Sequence, residues 1–222
     1  ENQVKNEYRE LNLSNPPKFI WANSSAQARD IIGSEEDIDM IICMYNEQDK
    51  EIFPFASRLK DEGRGIPFIL LIHYSKAVRQ RVLESPHPGV DFVFSWHGNA
   101  DLILAIVKLL EDAANAENDV FEVGVKGILL VEDSIRYYSN YLPELYKIVL
   151  TQSREFLTES LNDDQKKYRK RSRPKIFLAT CLEEAIAYFE KYRRNLLGVI
   201  SEWSSIRGMT LRLRNLTPES TL

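Results

Sequence analysis

The amino-acid sequence predicts an α/β protein made of two doubly wound units, in which helices cover both faces of a parallel sheet. Short apolar runs alternate along the chain with amphipathic stretches of helical period. The runs are apolar at nearly every position, which is typical of strands that a parallel sheet buries on both faces. The alternation pauses after residue 112 and restarts at Gly127, so the elements follow the order αβαβαβαβα and then βαβαβ.

The first half of the chain supplies four predicted strands separated by helices. The strands are expected at residues 18–22, 38–44, 67–72 and 90–94. The helices are expected at the start of the chain, before residue 18, and at residues 26–32, 51–60, 77–83 and 101–110. In the last helix, five apolar residues recur at helical spacing and predict one buried face: Leu102, Ile103, Ile106, Leu109 and Leu110.

The second half follows residues 113–126, a small, acidic and aperiodic stretch that we expect to be an interdomain linker. A long helical region is expected between residues 134 and 171, and Pro143 predicts a kink or a restart within it. The remaining elements are strands at 127–131, 175–179 and 196–200 and a helix at 182–192.

Composition and charge restrict the class of protein. The 222 residues carry a net charge of −4, which argues against nucleic acid as the main partner. No apolar run approaches the roughly 18 residues that a membrane span needs, and the first ten residues are too polar for a signal peptide. Cys43 and Cys181 lie in apolar runs, so we expect both to be buried core residues of a cytoplasmic protein.

The sharpest chemical feature is the acidic pair Glu132 and Asp133, which ends the apolar run 127–131. In an open parallel sheet, ligands bind outside the carboxyl ends of the strands. Adjacent carboxylates there can hold a hard cation such as Mg²⁺. The alternative is a solvated turn, in which acidic residues favour the N-terminus of the following helix.

Several segments together resemble a known family. They are the acidic pair with the residues around it (129–143) and the stretches 10–14, 94–96, 103–112, 173–180 and 196–201. They resemble the tandem response-regulator receiver-like regions that lie ahead of phosphoenolpyruvate synthase/pyruvate phosphate dikinase-type proteins, and the resemblance covers residues 7–201. It implies two flavodoxin-like units, both incomplete. Residues 1–112 would be a degenerate receiver whose first strand lies before Glu1, and residues 127–201 would be the N-terminal half of a second receiver.

The resemblance also implies a chemistry for the second unit. In receivers the acidic pair binds Mg²⁺, and an aspartate that ends the third strand accepts phosphoryl from a histidine kinase. The metal offsets the repulsion between the carboxylate nucleophile and the phosphoryl group. Glu132 and Asp133 match the pair, which would bind Mg²⁺ weakly. The acceptor position falls on Glu202 instead of an aspartate.

The first unit departs further from the family. Its acceptor position falls on Met44, its switch Thr/Ser position on Ile72, and its lysine position on Ser95 or Trp96. Those positions lack the carboxylate, switch hydroxyl and ammonium that phosphoryl transfer uses. We therefore expect residues 1–112 to be a pseudo-receiver.

Two stretches lie outside the main pattern. Residues 166–175 are strongly basic. We interpret them as the solvated C-terminal end of a helix. The alternative is a contact with nucleic acid or an acidic partner. Residues 202–222 show neither the helical period nor the alternation of a strand. We expect them to be out of frame through a single-base deletion at Glu202; the alternative is a natural divergent end.

The expected function is that of a phosphorelay regulatory region that is not an enzyme and does not accept phosphoryl in this form. Its expected partners are a histidine kinase or phosphotransfer protein and a neighbouring enzyme domain. The alternative is a docking module, never phosphorylated, for a phosphoenolpyruvate-utilising enzyme. The sequence lacks both GxGxxG and GxxxxGK[ST], which argues against a nucleotide-binding enzyme.

Overall fold

The fold is taken from a computed structural model, which describes residues 1–11, 13, 15–34, 37–73, 75, 78, 82, 88–158 and 173–201. The chain forms two compact units. The first contains residues 15–99 together with Glu1, and the second contains residues 2–14 and those from Ala100 onward. Helix α1 (Asn2–Glu10) therefore belongs to the second unit.

The first unit is a three-stranded parallel sheet with helices. It contains α2 (Ser25–Ser34), β1 (Ile41–Met44), α3 (Ile52–Asp61), β2 (Phe68–His73) and β3 (Phe92–Trp96). The strands pair in the order β1-β2-β3. The central strand β2 is buried along all but its last residue, which confirms that its continuous apolar sequence indicates a strand covered on both faces.

One predicted strand of this unit is wrong. Residues 18–22 form neither a strand nor a helix, and Trp21 is 69% exposed. A strand is stabilised by its neighbours more than by its own composition, and this segment pairs with no described strand. The helix predicted at 77–83 lies almost entirely outside the described residues.

Two residues just before β3 contact β2 and α3. Asp91 accepts a hydrogen bond from the backbone N–H of Phe68 (2.7 Å) and forms an ion pair with Lys60 of α3 (2.7 Å). Gly89 lies so close to α3 that a Cβ at this position would overlap the backbone of Ala56. The turn before β3 therefore contacts α3 directly, and only glycine fits there.

The second unit contains a longer set of elements around another three-stranded parallel sheet. After α1 come α4 (Ala100–Glu117), a π-helix (Asn118–Glu122), β4 (Gly127–Val131), α5 (Ile135–Thr158), β5 (Lys175–Ala179), α6 (Leu182–Tyr192) and β6 (Leu196–Ser201). The strand order is β5-β4-β6. The first strand of the unit is thus its central strand, with the second and third on either side.

Helix α4 and helix α5 both differ from the sequence expectation. The stretch expected as an irregular linker, 113–126, is helical as far as Glu122. Its alanines favour a helix, and buried Asp112 and Ala116 tie it to the unit. Pro143 was expected to kink or restart the next helix, but α5 runs through it without a break. Leu142 and Tyr146 are fully buried on either side, and this packing outweighs the hydrogen bond that proline loses.

The core of the second unit is an apolar cluster with stacked aromatic rings. The Phe177 and Tyr192 rings are nearly parallel, with centroids 4.6 Å apart. Gly127 leaves the room for this stack, because a Cβ there would lie 2.5 Å from the Phe177 ring. The fully packed members of the cluster are Ala116, Val120, Leu129, Val131, Phe177, Ala179, Ala185 and Tyr192.

Candidate functional site

The carboxyl ends of the three strands of the second sheet lie level with one another. Val131 of β4 pairs with Ala179 on one side and with Ser201 on the other. The residues that follow these strands therefore meet at one edge of the sheet. Glu132 and Asp133 follow the central strand at this edge, and Glu202, which follows β6, lies outside the described residues.

Glu132 is buried and is bound to the loop that it begins. Its side chain accepts a hydrogen bond from the N–H of Ser134 (3.0 Å), and its own N–H donates to the carbonyl of Ala179 (3.0 Å). Only 3% of the residue is exposed. The carboxylate is therefore held in one position at the start of α5.

Asp133 differs from Glu132 because it is exposed to solvent. The pair thus offers one fixed, buried carboxylate and one that faces water. Within the described part of the chain, no three His, Cys, Asp or Glu side chains come together in a way that could hold a metal ion. Two carboxylates give a hard cation few of the oxygen ligands that it needs, so any Mg²⁺ held here would keep most of its water.

A further carboxylate at this edge was missed by the sequence analysis. Glu184 accepts hydrogen bonds from both the N–H (2.7 Å) and the hydroxyl (3.1 Å) of Thr180, which directly follows β5. The signal in the sequence is that Glu184 lies three residues after Cys181, the residue that precedes α6, and this is the position of the glutamate in a capping box.

Cys181 is exposed, so the expectation that it is a buried core residue is wrong.

Helix α5 brings a buried phenol to the same end of the unit. Burial, and then the nearby Glu184 carboxylate, raise the pKa of Tyr138 well above its ordinary value. Tyr138 therefore stays protonated at neutral pH. It is a neutral group and adds no charge to the acidic edge.

The carboxyl ends of the strands of the first unit carry the residues to which the sequence analysis assigned the acceptor, switch and lysine positions. Met44 ends β1 and is 40% exposed, whereas Ile72 near the end of β2 is fully buried. Ile72 pairs with Ser95, which is also fully buried, and the next pair along β2 and β3 contains Trp96. No carboxylate or ammonium side chain occupies these four positions.

A separate charged cluster lies at the opposite, amino-terminal end of β5. The carboxylate of Asp112 is fully buried and accepts two hydrogen bonds from Arg173 (2.6 and 3.0 Å), one from the Tyr146 hydroxyl (3.0 Å) and one from the N–H of Ile176 (3.0 Å). The ammonium of Lys175 lies 3.5 Å from the same carboxylate.

Lys175 extends this cluster to the π-helix. Its ammonium forms an ion pair of 2.6 Å with Asp119, and both side chains are largely buried. Arg173 is buried as well, so the interpretation of residues 166–175 as a solvated end is wrong for Arg173 and Lys175. Residues 166–172 lie outside the described residues.

The charges in this cluster fix the protonation states of its members. Burial alone would lower the pKa of Arg173, but the Asp112 carboxylate outweighs it and the pKa is raised. Burial, and then Asp112, raise the pKa of Tyr146 well above its ordinary value. Both residues thus remain proton donors to the carboxylate, and the cluster has the character of a structural clamp between α4, α5 and β5.

Comparisons with known proteins found no similar protein. No family model, no curated protein and no solved structure matches the chain. None of the described helices combines the length and the apolar character that crossing a membrane requires.

Proposed function

We propose that the chain is a regulatory region of the phosphorelay type, with no enzymatic activity of its own. In this proposal residues 127–201 are the N-terminal half of a flavodoxin-like receiver, and residues 1–112 are a pseudo-receiver. The expected partners are a histidine kinase or a phosphotransfer protein and a neighbouring enzyme domain, and the compartment is the cytoplasm.

The observation that carries the proposal is the order of the strands in the second unit. Its first strand lies between its second and third, and a flavodoxin-like sheet has the order 2-1-3-4-5. The acidic pair Glu132 and Asp133 directly follows that central strand, where such sheets bind ligands. The three strands of the first unit pair in chain order, which agrees with the last three of a 2-1-3-4-5 sheet.

The proposal also holds that this form of the chain does not accept phosphoryl. At position 202 the side chain of glutamate is longer than that of aspartate by one carbon–carbon bond, about 1.5 Å. A displacement of about 1 Å in a reacting group can reduce a rate roughly 100-fold. The strands that would carry the switch residues of the second unit are not among the described elements.

Phosphorylation by acetyl phosphate with Mg²⁺ tests this part of the proposal. The chain and its Glu202→Asp variant should both remain unlabelled, because in this proposal a change of the acceptor alone does not supply the switch residues that a receiver needs. A longer chain that continues in the restored frame should be labelled. Efficient labelling of the Glu202→Asp variant would contradict this account of why the chain is inert.

Binding of Mg²⁺ tests the receiver assignment itself. Titration followed by the fluorescence of Trp203 should show weak binding that the double change Glu132→Gln and Asp133→Asn abolishes. A large response that survives both changes would place the metal elsewhere. The double variant keeps the size of both side chains, so a change in packing cannot account for the loss.

A docking module is the second candidate, and one observation favours it. Tyr137 and Tyr141 of α5 are 43% and 45% exposed and stack on each other with nearly parallel rings. Exposed, preordered tyrosines are common anchors of protein interfaces. If Tyr137→Ala with Tyr141→Ala abolishes binding to the partner enzyme, and Mg²⁺ and acetyl phosphate have no effect on that binding, the docking function is favoured.

A further inference from the structure

We propose that Phe121 and the cations Lys126, Arg193 and Arg194 form a platform for single-stranded nucleic acid. A nucleobase stacks on the Phe121 ring, and the neighbouring phosphates contact the three cations. The platform lies at the amino-terminal end of the second sheet, where Lys126 precedes β4. This inference does not depend on the phosphorelay proposal, which uses the opposite, carboxyl end of the same strands.

Phe121 is the outermost ring of an aromatic stack that begins in the core of the second unit. Its ring stacks on Tyr192, with centroids 5.5 Å apart and 24° between the ring planes, and Tyr192 stacks in turn on Phe177. Tyr192 and Phe177 are buried, whereas Phe121 is 52% exposed. One face of the Phe121 ring therefore packs on the core, and the exposed half of the residue can accept a further planar group.

The π-helix Asn118–Glu122 holds Phe121 in this position. The two residues before Phe121, Asp119 and Val120, are buried in the unit. The side-chain amide of Asn195 donates a hydrogen bond to the carbonyl of Val120 (3.3 Å). The ring is thus ordered before a ligand arrives, which lowers the entropic cost of binding. Helical turns of this kind are rare and occur frequently at functional sites.

Three exposed cations lie beside this ring. Arg193 and Arg194 directly follow Tyr192, the ring on which Phe121 stacks. The ammonium of Lys126 lies 3.5 Å from the carbonyl oxygen of Arg194, so the segment before β4 meets the segment after α6. Among the described residues, none of the three cations forms an ion pair. They are therefore available to phosphate groups.

A single nucleic-acid strand is the ligand that this combination fits best. Every nucleobase has a flat face that stacks on an aromatic ring, and every nucleotide brings a phosphate for a nearby cation. Cations are also favoured at the C-terminus of a helix, which accounts for the two arginines after α6 but not for the exposed ring or for Lys126. Because the chain as a whole has a net charge of −4, we expect binding to be local, weak and sensitive to salt.

Fluorescence anisotropy with a short labelled oligo(dT) measures the binding. The dissociation constant should be roughly 1–100 µM at about 50 mM salt. Three phosphate contacts predict a slope of about −2 when the logarithm of the association constant is plotted against that of the salt concentration. Arg193→Gln with Arg194→Gln should reduce the slope to about −0.7, the value for one contact. An abasic strand of the same length keeps the phosphates but lacks the bases, and it should bind roughly tenfold more weakly.

Changes at Phe121 test the stack. Phe121→Ala should weaken binding roughly tenfold. Phe121→Trp should keep the affinity and report the stacked base by quenching of the new tryptophan. The matched control is Trp21→Ala in the first unit, which removes a more exposed ring that also stacks on a neighbour and should leave the affinity unchanged. Glu122→Gln removes the carboxylate next to Phe121 in the sequence, so it should tighten the binding.

Several results would overturn the proposal. One is an absence of binding at about 300 µM protein, above the range expected for a non-specific site at low salt. Another is an abasic strand that binds as tightly as oligo(dT), a comparison that uses the unaltered chain and so holds even if Phe121→Ala disturbs the unit. Equal effects of Phe121→Ala and Trp21→Ala would also exclude the platform. Competition by thymidine monophosphate at the concentration at which oligo(dT) competes would mean a site for a free nucleotide, and equal competition by polyglutamate would mean an acidic protein partner.

Discussion

Removal of the Asp112 carboxylate should destabilise the second unit more than any other single change in its charged cluster. Asp112→Ala leaves the guanidinium of Arg173, whose side chain is only 10% exposed, without its charged partner. It also removes the acceptor of the Tyr146 hydroxyl and of the Ile176 N–H. Loss of one member of a buried ion pair costs about 3–5 kcal/mol. Because two further hydrogen bonds are lost, we expect a loss of about 4 kcal/mol, the middle of this range, or more.

Urea unfolding followed by circular dichroism at 222 nm measures this effect. With a denaturant slope of about 2 kcal/mol per molar, a loss of about 4 kcal/mol lowers the midpoint of the second unit by roughly 2 M. Arg173→Met in addition to Asp112→Ala removes the unpaired charge. The double variant should therefore lose roughly 2 kcal/mol less than the sum of the two single losses.

The matched control is Glu117→Ala, which removes an ion pair with Lys191 on an exposed surface. Exposed pairs contribute little, so the midpoint should not move measurably. A shift below about 0.5 M for Asp112→Ala, or additive losses in the double variant, would refute the view that a buried, mutually compensated cluster holds α4 to β5.

Changes at a glycine, a tyrosine and a cysteine test other contacts. Gly89→Ala should cost about 2 kcal/mol or more in the urea assay, because its Cβ would overlap α3. Gly33→Ala, which meets nothing, should stabilise α2 by up to about 1 kcal/mol, and similar effects of the two changes would contradict the close approach. Burial raises the pKa of the Tyr146 hydroxyl well above 10. As the pH rises, the unfolded chain therefore loses the hydroxyl proton before the folded chain does. The stability that the buried, protonated phenol gives is present below pH 10 and is lost above it. Alkaline titration of stability should therefore show a smaller loss in Tyr146→Phe than in the wild type. Iodoacetamide should label exposed Cys181 much faster than Cys43, whose thiol pKa burial raises to about 11, and equal rates would be inconsistent with the fold.

The regular elements could be predicted from the sequence because their side-chain pattern is local. The strands at 127–131 and 175–179 and the helix at 182–192 have the bounds that the sequence predicts. The acidic pair follows a strand for the same reason, since its position depends only on where that strand ends. The segment 18–22 has a similar composition but pairs with none of the described strands, and nothing in its own residues reveals this.

The charged cluster could not be predicted because its members are far apart in the chain. Asp112 belongs to α4, whereas Arg173 precedes β5, and each looks like an ordinary surface charge in its own neighbourhood. Burial of a charge depends on whether a partner from another element arrives beside it. The same limit applies to β6, whose apolar sequence predicts a buried strand although the fold leaves it exposed.

The hydrogen bond from Ile176 to Asp112 has a consequence for amide exchange. Most amides of a sheet are protected by the carbonyl of a neighbouring strand, so their exchange with solvent reports the separation of two strands. The amide of Ile176 is protected by a side chain of α4 instead. Its exchange rate therefore measures how often the helix moves away from the edge of the sheet, and a single residue gives a probe of that motion while the strands remain paired.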